Sequence, residues 1–163
     1  MLLVTGCSQL DRAPRGGATG SSVSIPAIGV DARISGVGLD GDGAMQVPDI
    51  DTVGWYRLGP RPGAPGPAVL VGHVDSRTGP AVFYRLRELR PGHRIVIHHD
   101  DATTSTFVVR RTERHHKTAL PVERIWPRTS TPLLRLITCG GSFDRSTRSY
   151  RDNVIVYAAL TSS

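Results

Sequence analysis

Short apolar runs, separated by segments that contain glycine, proline or aspartate, recur along almost the whole chain from residue 23 onwards. Seven of them are VSIPAIGV, ARISGVGL, PAVLVGHV, HRIVIHH, STFVVRRTE, PLLRLITC and NVIVYAAL. Runs of this length, spaced by turn residues, are typical of the strands of a sandwich or barrel. Only residues 81–89 and 121–126 have the pattern of a helical turn, and no run is long enough for a major helix. The sequence therefore predicts an all-β fold, a small barrel with short helical turns.

The chain of 163 residues is long enough for one domain with its own core and too short for two. Residues 8–22 are polar and rich in Gly and Ser, as in a flexible linker, so we predict a folded domain at 23–163. The segment 1–7 (MLLVTGC) ends like a lipobox and also resembles the tail of a membrane segment. It is too short to span a bilayer, so we predict attachment through a truncated or missing N-terminal segment, with an accidental apolar end as the alternative.

The charge of the chain favours anionic surroundings, since 20 Lys and Arg residues face 14 Asp and Glu residues. Lys117 is the only lysine, and the arginines are scattered without interleaved aromatic residues. This distribution argues against a nucleic-acid partner. The chain has two cysteines, Cys7 and Cys139, and their wide separation is weak evidence for a disulfide.

Three residues with catalytic chemistry lie at the ends of predicted strands. His73 follows an apolar run and Gly72, Cys139 ends another run and precedes Gly140, and Arg151 begins the last one. Strand ends can hold catalytic groups rigidly within reach of solvent. Neighbouring glycines let a backbone approach a substrate closely. These positions are our candidates for an active site.

Cysteine and histidine form a nucleophile and a base when they meet in space. A thiolate attacks a carbonyl carbon, an imidazole handles protons, and a thioester forms. A guanidinium and the backbone N–H groups near Cys139 can then stabilise the oxyanion, and no metal or other cofactor is required. Each residue also has an ordinary alternative: Cys139 as core, His73 as a structural histidine, and Arg151 as an ion-pair partner of Asp144 or Asp152.

Three motifs, in this order, connect the candidates to a family. They are GWYRLGPRPGAPGPAVLVGHVDS (54–76), LITC (136–139) and YRDNVIVYA (150–158). Together they resemble the sortases, the cysteine transpeptidases of Gram-positive cell envelopes, and most of all the actinobacterial classes E and F. The resemblance assigns the catalytic histidine to His73, the nucleophile to Cys139 and the catalytic arginine to Arg151. Arg135 stands where the signature Thr-Leu-x-Thr-Cys has its first threonine.

The resemblance implies an eight-stranded β-barrel and a reaction. Cys139 would attack the Thr–Gly carbonyl of an LPxTG-like sorting signal, LPxTG and LAxTG both remaining open, while His73 protonates the departing amine. Arg151 would hold the substrate and its oxyanion, with support from Thr138 and Gly140. A peptidoglycan precursor amine, or water in its absence, would release the thioester. The implied protein is a monomer at the outer face of the membrane, next to the cell wall.

Two other functions stay open at this point. An L,D-transpeptidase also uses Cys, His and Arg, although Ile137 stands where its motif has a histidine. A non-catalytic envelope barrel would bind anionic wall polymer through its arginines.

Two further sets of residues concern metal binding and the substrate pocket. The histidine pairs at 98–99 and 115–116 predict no metal site, because adjacent strand residues point to opposite faces. Leu120, Val122 and Ile125 are candidates for the walls of a substrate pocket, or for core.

Overall fold

The computed structural model describes residues 20–162 of the chain. Its strands are β1 (Ser22–Ile25), β2 (Val30–Val37), β3 (Val53–Tyr56), β4 (Pro67–Val71), β5 (Asp75–Ser76), β6 (Gly79–Pro80), β7 (Arg94–His98), β8 (Thr104–His116), β9 (Leu133–Asp144) and β10 (Ser149–Ser162). Helical elements of this region are short: 3-10 turns at Pro26–Ile28 and Leu86–Glu88, and helix α1 at Val122–Ile125. The predictions for residues 1–19 lie outside the described residues.

Eight strands close into a barrel in the order β1-β2-β3-β4-β9-β10-β8-β7, and β5 pairs with β6 in a separate hairpin. The predicted eight-stranded barrel is therefore confirmed. Two pairs of adjacent strands are parallel, namely β2 with β3 and β4 with β9. All other pairs of adjacent strands in the barrel are antiparallel. The parallel pairing matters for the site, because it brings the ends of β4 and β9 to the same edge.

Apolar side chains fill the barrel and also cover one outer face. The inner cluster includes Leu70, Leu134, Leu136, Val154 and Val156. The outer cluster lies on β3, β4, β9 and β10 and comprises Val37, Met45, Tyr56, Val69, Val71, Ile125, Ile137, Ile155 and Tyr157. Because β4 is covered on both faces, all five of its residues are buried, which explains its continuous apolar sequence.

Helix α1 closes the outer cluster. Ile125 is fully buried there and Leu120 packs against the cluster, whereas Val122 is 43% exposed. Arg135 is buried beneath the helix, where its Nε donates to the carbonyl of Arg124 at 3.2 Å and its guanidinium lies 4.8 Å from the ring centre of Tyr157. Burial lowers the pKa of Arg135 to about 10. The unusual residue of the LITC strand thus anchors α1 to the sheet.

Candidate active site

The parallel register of β4 and β9 determines where the chain enters the His73 segment relative to the Cys139 strand. Val71 pairs with Ile137, and the Gly72 N–H continues the ladder to the Ile137 carbonyl at 3.2 Å. Continued by two residues beyond Val71 and Ile137, this register would bring His73 to the level of Cys139. Cys139 lies two residues after Ile137 on β9, so its side chain shares the face of the outer cluster, whereas His73 lies beyond the end of β4. The structure thus places His73 just after the end of the strand that pairs with the Cys139 strand.

Thr138 on β9 forms a hydrogen bond to the backbone that follows β4. Its side chain is buried, and Oγ1 donates a hydrogen bond of 2.7 Å to the Gly72 carbonyl. This carbonyl directly precedes His73 in the chain. The hydroxyl of Thr138 is therefore engaged with the backbone beside His73, and it acts on the geometry of the histidine loop.

Replacing Thr138 with valine is expected to lower the free energy of unfolding by about 1–2 kcal/mol, because the buried Gly72 carbonyl loses a donor. Valine keeps the branched shape of the side chain. Denaturant unfolding of Thr138→Val measures the loss, and Thr138→Ser, which keeps the hydroxyl, is expected to retain most of the stability. The matched control is Thr104→Val at an exposed strand end, with an expected change within about 0.5 kcal/mol. Equal effects of the valine changes at 138 and 104 would contradict this account.

His73 is held through its Nε2, which donates to the Pro48 carbonyl at 2.9 Å. A carbonyl oxygen can only accept, so Nε2 carries a proton and Nδ1 holds the lone pair of the neutral ring. Burial lowers the pKa of His73 below its usual value, and the Pro48 contact and the charges of Asp49 and Asp75 oppose this shift only in part. The imidazole is therefore mostly neutral at pH 7, ready to accept a proton.

Cys139 is 2% exposed and lies on β9 where that strand separates from β4. In this structure its sulfur is in a disulfide, which the sequence did not predict. A thiolate at Cys139 therefore requires the reduced enzyme. Beside it lies a cavity of about 480 Å³ whose lining includes Phe83, Tyr84 and Arg114. A peptide segment can be accommodated in a space of this size.

The glycines after Cys139 are required by packing against β10. A Cβ at Gly140 would stand 2.8 Å from Cγ2 of Val154, and a Cβ at Gly141 would overlap the carboxylate of Asp152. Gly141 also has a φ of +74°, which favours glycine. Side chains of β10 therefore occupy the space that these glycines leave.

Arg151 lies beyond an irregularity in the pairing of β9 and β10. Tyr150 pairs with Phe143 and Asp152 with Gly140, so two residues of β9 stand opposite Arg151, as in a β-bulge. The side chain of Arg151 is 59% exposed, and its Nη2 lies 3.5 Å from Oδ2 of Asp144. The structure thus shows the ion pair with Asp144 that the sequence offered as an alternative.

Sequence reasoning did not single out Asn153, which the structure places directly opposite Cys139. Asn153 is fully buried. Its position could be found only by counting along the β9–β10 register, and a single sequence does not contain that register.

Tyr150 and Asp75 close one side of the cavity, with the tyrosine hydroxyl donating to the carboxylate. Burial and this carboxylate raise the pKa of Tyr150 to about 12, so the phenol stays protonated. Arg114 lines the same cavity and lies 3.3 Å from Asp152.

Metal-binding clusters and membrane-spanning helices are both absent from residues 20–162. In this range no three His, Cys, Asp or Glu residues are grouped so as to hold a metal ion. No helix of this range has the length and apolar character needed to cross a membrane.

Comparison with known proteins gives a family. The model of the Sortase domain matches residues 23–161. Among solved structures, Sortase C2 of Group B Streptococcus Pilus Island 1 superposes with a TM-score of 0.72 at 18% identity, over 99% of this chain and 86% of that one. Sortase C-1 from Actinomyces oris gives a TM-score of 0.71 at 19% identity, over 90% of this chain and 76% of that one.

Sortase A from Corynebacterium diphtheriae has a TM-score of 0.68 at 20% identity, and this chain, 93% of which is covered, spans 64% of its length. No match was found among curated protein sequences. At these identities the structural likeness establishes the fold, and the domain match, which covers most of the chain, establishes the family. The chain belongs to the sortase family.

Proposed function

We propose that this protein is a cysteine transpeptidase that cleaves an LPxTG-like sorting signal between Thr and Gly and transfers the new carboxyl end to an amine. The amine belongs to a peptidoglycan precursor, and water replaces it when no amine is present. The observation that supports the proposal is the register of β4 and β9, in which β4 ends against the Cys139 strand just before His73. Membership of the sortase family supports the class of reaction.

The chemistry begins with a neutral imidazole. Nδ1 of His73 takes the proton of the Cys139 thiol, and the thiolate attacks the Thr carbonyl carbon to give a tetrahedral oxyanion. When this collapses, the C–N bond breaks, and His73 returns the same proton to the departing glycine amine. The acceptor amine then attacks the thioester and gives a proton to His73, which passes it to the released thiolate. Protons balance over the cycle.

The remaining assignments follow from the resemblance. We place the enzyme outside the cytoplasm of a Gram-positive cell, at the membrane–wall interface, as a monomer of the class E/F type from an actinobacterium. Attachment to the membrane through the N-terminal region stays a prediction. So does the role of Arg151 in holding the substrate. We propose the same of the two supporting residues: Thr138 acts through the hydrogen bond of its hydroxyl to the Gly72 carbonyl, and Gly140 acts on the oxyanion through its backbone.

Mass spectrometry of the reduced enzyme with a panel of LPxTG and LAxTG peptides tests the proposal. We expect a mass increase on Cys139 equal to the peptide up to its threonine, and transfer to an added amine such as a glycine peptide. The panel also reports which signal is preferred. A thioester formed only from a diaminopimelate-containing stem peptide would indicate an L,D-transpeptidase instead. An unreactive Cys139, with salt-sensitive binding to anionic wall polymer, would indicate a binding module.

A further inference from the structure

The cavity of the candidate site holds two charged side chains without an ion-pair partner. Four charged residues line it. Arg114 pairs with Asp152 at 3.3 Å, and Glu113 pairs with basic residues that lie outside the lining. The other two, Asp75 and Arg87, form no ion pair within the described part of the chain. The cavity therefore offers one carboxylate and one guanidinium to a ligand.

Cys139 lines the same cavity, whereas none of the described residues of the outer cluster does so. Unpaired charges suit a charged ligand and not the leucine and proline of an LPxTG-like signal, because apolar groups cannot replace the water around them. The proposed reaction has a charged reactant in the acceptor, since an amine in neutral water is mostly an ammonium ion. The cavity is thus placed to receive the acceptor while the acyl group is on Cys139.

Arg87 is available to bind an anion. It is exposed on the second 3-10 turn, and its guanidinium lies 5.5 Å from the ring centre of Tyr84, which also lines the cavity. The neighbouring Arg85 differs, because Glu88 holds it at 2.8 Å. A guanidinium that is supported by an aromatic ring and has no acidic partner is suited to a carboxylate.

Asp75 has an oxygen atom available for an ammonium group. The half-buried carboxylate accepts the Tyr150 hydroxyl through Oδ2, and no donor in the described part of the chain bonds its Oδ1. Asp75 raises the pKa of Tyr150 and Arg87 lowers it, so both charges act within reach of one hydroxyl. Asp75 also favours the protonated ring of His73, two positions earlier in the chain. An ammonium held by Asp75 would therefore lie near the proposed base.

The segment that carries Arg87 is fixed against the His73 segment. The Phe83 N–H donates to the His73 carbonyl at 2.9 Å. The Phe83 ring packs on Gly72, where a Cβ would stand 2.7 Å from Cδ2 of the ring. These contacts set the position of the turn with Arg87 relative to the strand with Asp75, so the two charges are presented together.

We infer that Arg87 and Asp75 select an acceptor whose amine and free carboxylate are on the same carbon, as at the end of an amino acid. The inference rests on the proposed function in that the thioester forms on Cys139. The guanidinium binds the carboxylate, and the ammonium lies against Asp75. After the ammonium loses one proton to solvent, the amine attacks the thioester carbon. The C–N bond forms, the C–S bond breaks, and one amine proton passes through His73 to the thiolate.

Transfer of an acetyl group tests the inference without any sorting signal. After reduction and removal of the reductant, p-nitrophenyl acetate acetylates Cys139, and glycine and glycinamide compete for the acetyl group at equal concentration. The two acceptors differ in whether the carboxyl group is free. Mass spectrometry measures the ratio of N-acetylglycine to N-acetylglycinamide, with Cys139→Ala giving the background. Because the same pair is compared among enzymes, the intrinsic reactivities of the amines cancel.

Arg87→Gln is expected to lower this ratio about tenfold relative to the wild type, the size of one charge-assisted hydrogen bond at a partly exposed site. Arg87→Lys keeps the positive charge and is expected to retain most of the ratio, which a merely structural role of Arg87 would not predict. Arg85→Gln is the matched control from the same segment. We expect it to leave the ratio unchanged, because Glu88 engages Arg85.

Asp75→Asn tests the acidic half of the inference. At a pH above the pKa of His73, where the ring is neutral in every variant, we expect transfer to both amines to fall about 3- to 10-fold relative to hydrolysis to acetate. Asp51→Asn, at an exposed position outside the lining, is the matched control and is expected to keep the wild-type proportion. Equal proportions in Asp75→Asn and Asp51→Asn would remove Asp75 from acceptor binding.

The inference is overturned if Arg87→Gln gives the wild-type ratio, if Arg85→Gln lowers the ratio as much, or if the acetyl-enzyme yields acetate alone. The proposed function fails separately: a wild-type enzyme that reacts with the ester and with none of the sorting peptides lacks the proposed acyl donor, and the ratio of the two acetylated products still decides the inference. A wild-type Cys139 that reacts with neither acyl donor overturns both.

Discussion

Replacing Cys139 with alanine is expected to abolish thioester formation and peptide cleavage, a loss on the order of 10⁶-fold for a covalent nucleophile. The reason is chemical, because alanine has no atom that can form the bond to the carbonyl carbon. Removing one buried sulfur atom opens only a small space, so the barrel is expected to remain folded. Rates of peptide cleavage, together with the mass of the enzyme after incubation, measure both losses under reducing conditions.

The chain supplies its own matched control for this experiment, since it has a second cysteine, Cys7. Cys7→Ala is expected to keep the thioester and the rate of cleavage, and Cys139→Ala to lose both. Cleavage at the normal rate by Cys139→Ala would remove the cysteine from the mechanism. Circular dichroism of both variants checks that any loss reflects chemistry and not unfolding.

The apolar runs before His73 and Cys139 could be predicted as strands from the sequence, and β4 does end just before His73. The strand end expected at Cys139 was wrong, because β9 continues to Asp144 in its pairing with β10. Local patterns do not choose the partner of a strand. The pairing of β4 with β9 joins segments far apart in the chain, and it depends on covering the inner and outer faces at once. The association of His73 with Cys139 in one site therefore stays a prediction from the family resemblance.

Two misses have physical causes of their own. The sequence did not predict strand β3, which is only four residues long and lacks a clear alternation of apolar and polar residues. It is a strand because it pairs with the end of β2. The bulge opposite Arg151 is set by the fit of Gly141 under Asp152, an event between strands that spacing along one strand does not reveal. The register places Asn153 opposite the cysteine, and the catalytic role of Arg151 stays a prediction.

Replacing His73 with glutamine is expected to slow thioester formation from a sorting peptide by about 10²–10⁴-fold, because the side chain can neither take the thiol proton nor protonate the amine. Glutamine retains a donor for the Pro48 carbonyl, so the loop is expected to stay in place. Single-turnover acylation measures the loss. With p-nitrophenyl acetate, whose leaving group needs no proton, the rate of acylation is expected to decrease less. An equal decrease with both acyl donors would leave His73 only the role of a base.

The pH dependence of acylation carries the same argument further. Since burial lowers the pKa of His73, the acidic limb of the rate profile is expected below the ordinary histidine value of 6.5, with neutral imidazole as the reactive form. The carboxylate of Asp75 favours the protonated ring, so Asp75→Asn is expected to lower the pKa of His73 further and to move this limb to lower pH. Asparagine still accepts the hydrogen bond of Tyr150.

Titration of the His73 ring by NMR, in parallel with the rate profile, tests this order of pKa values. Asp51→Asn is the matched control, since Asp51 is exposed and is not among the groups that shift the pKa of His73. We expect the same pKa of His73 in the wild type and in Asp51→Asn, and a lower pKa in Asp75→Asn. A higher pKa in Asp75→Asn would contradict the effect assigned to the Asp75 carboxylate, and an acidic limb above 6.5 in the wild type would mean that the Pro48 contact and the neighbouring charges outweigh burial at this histidine.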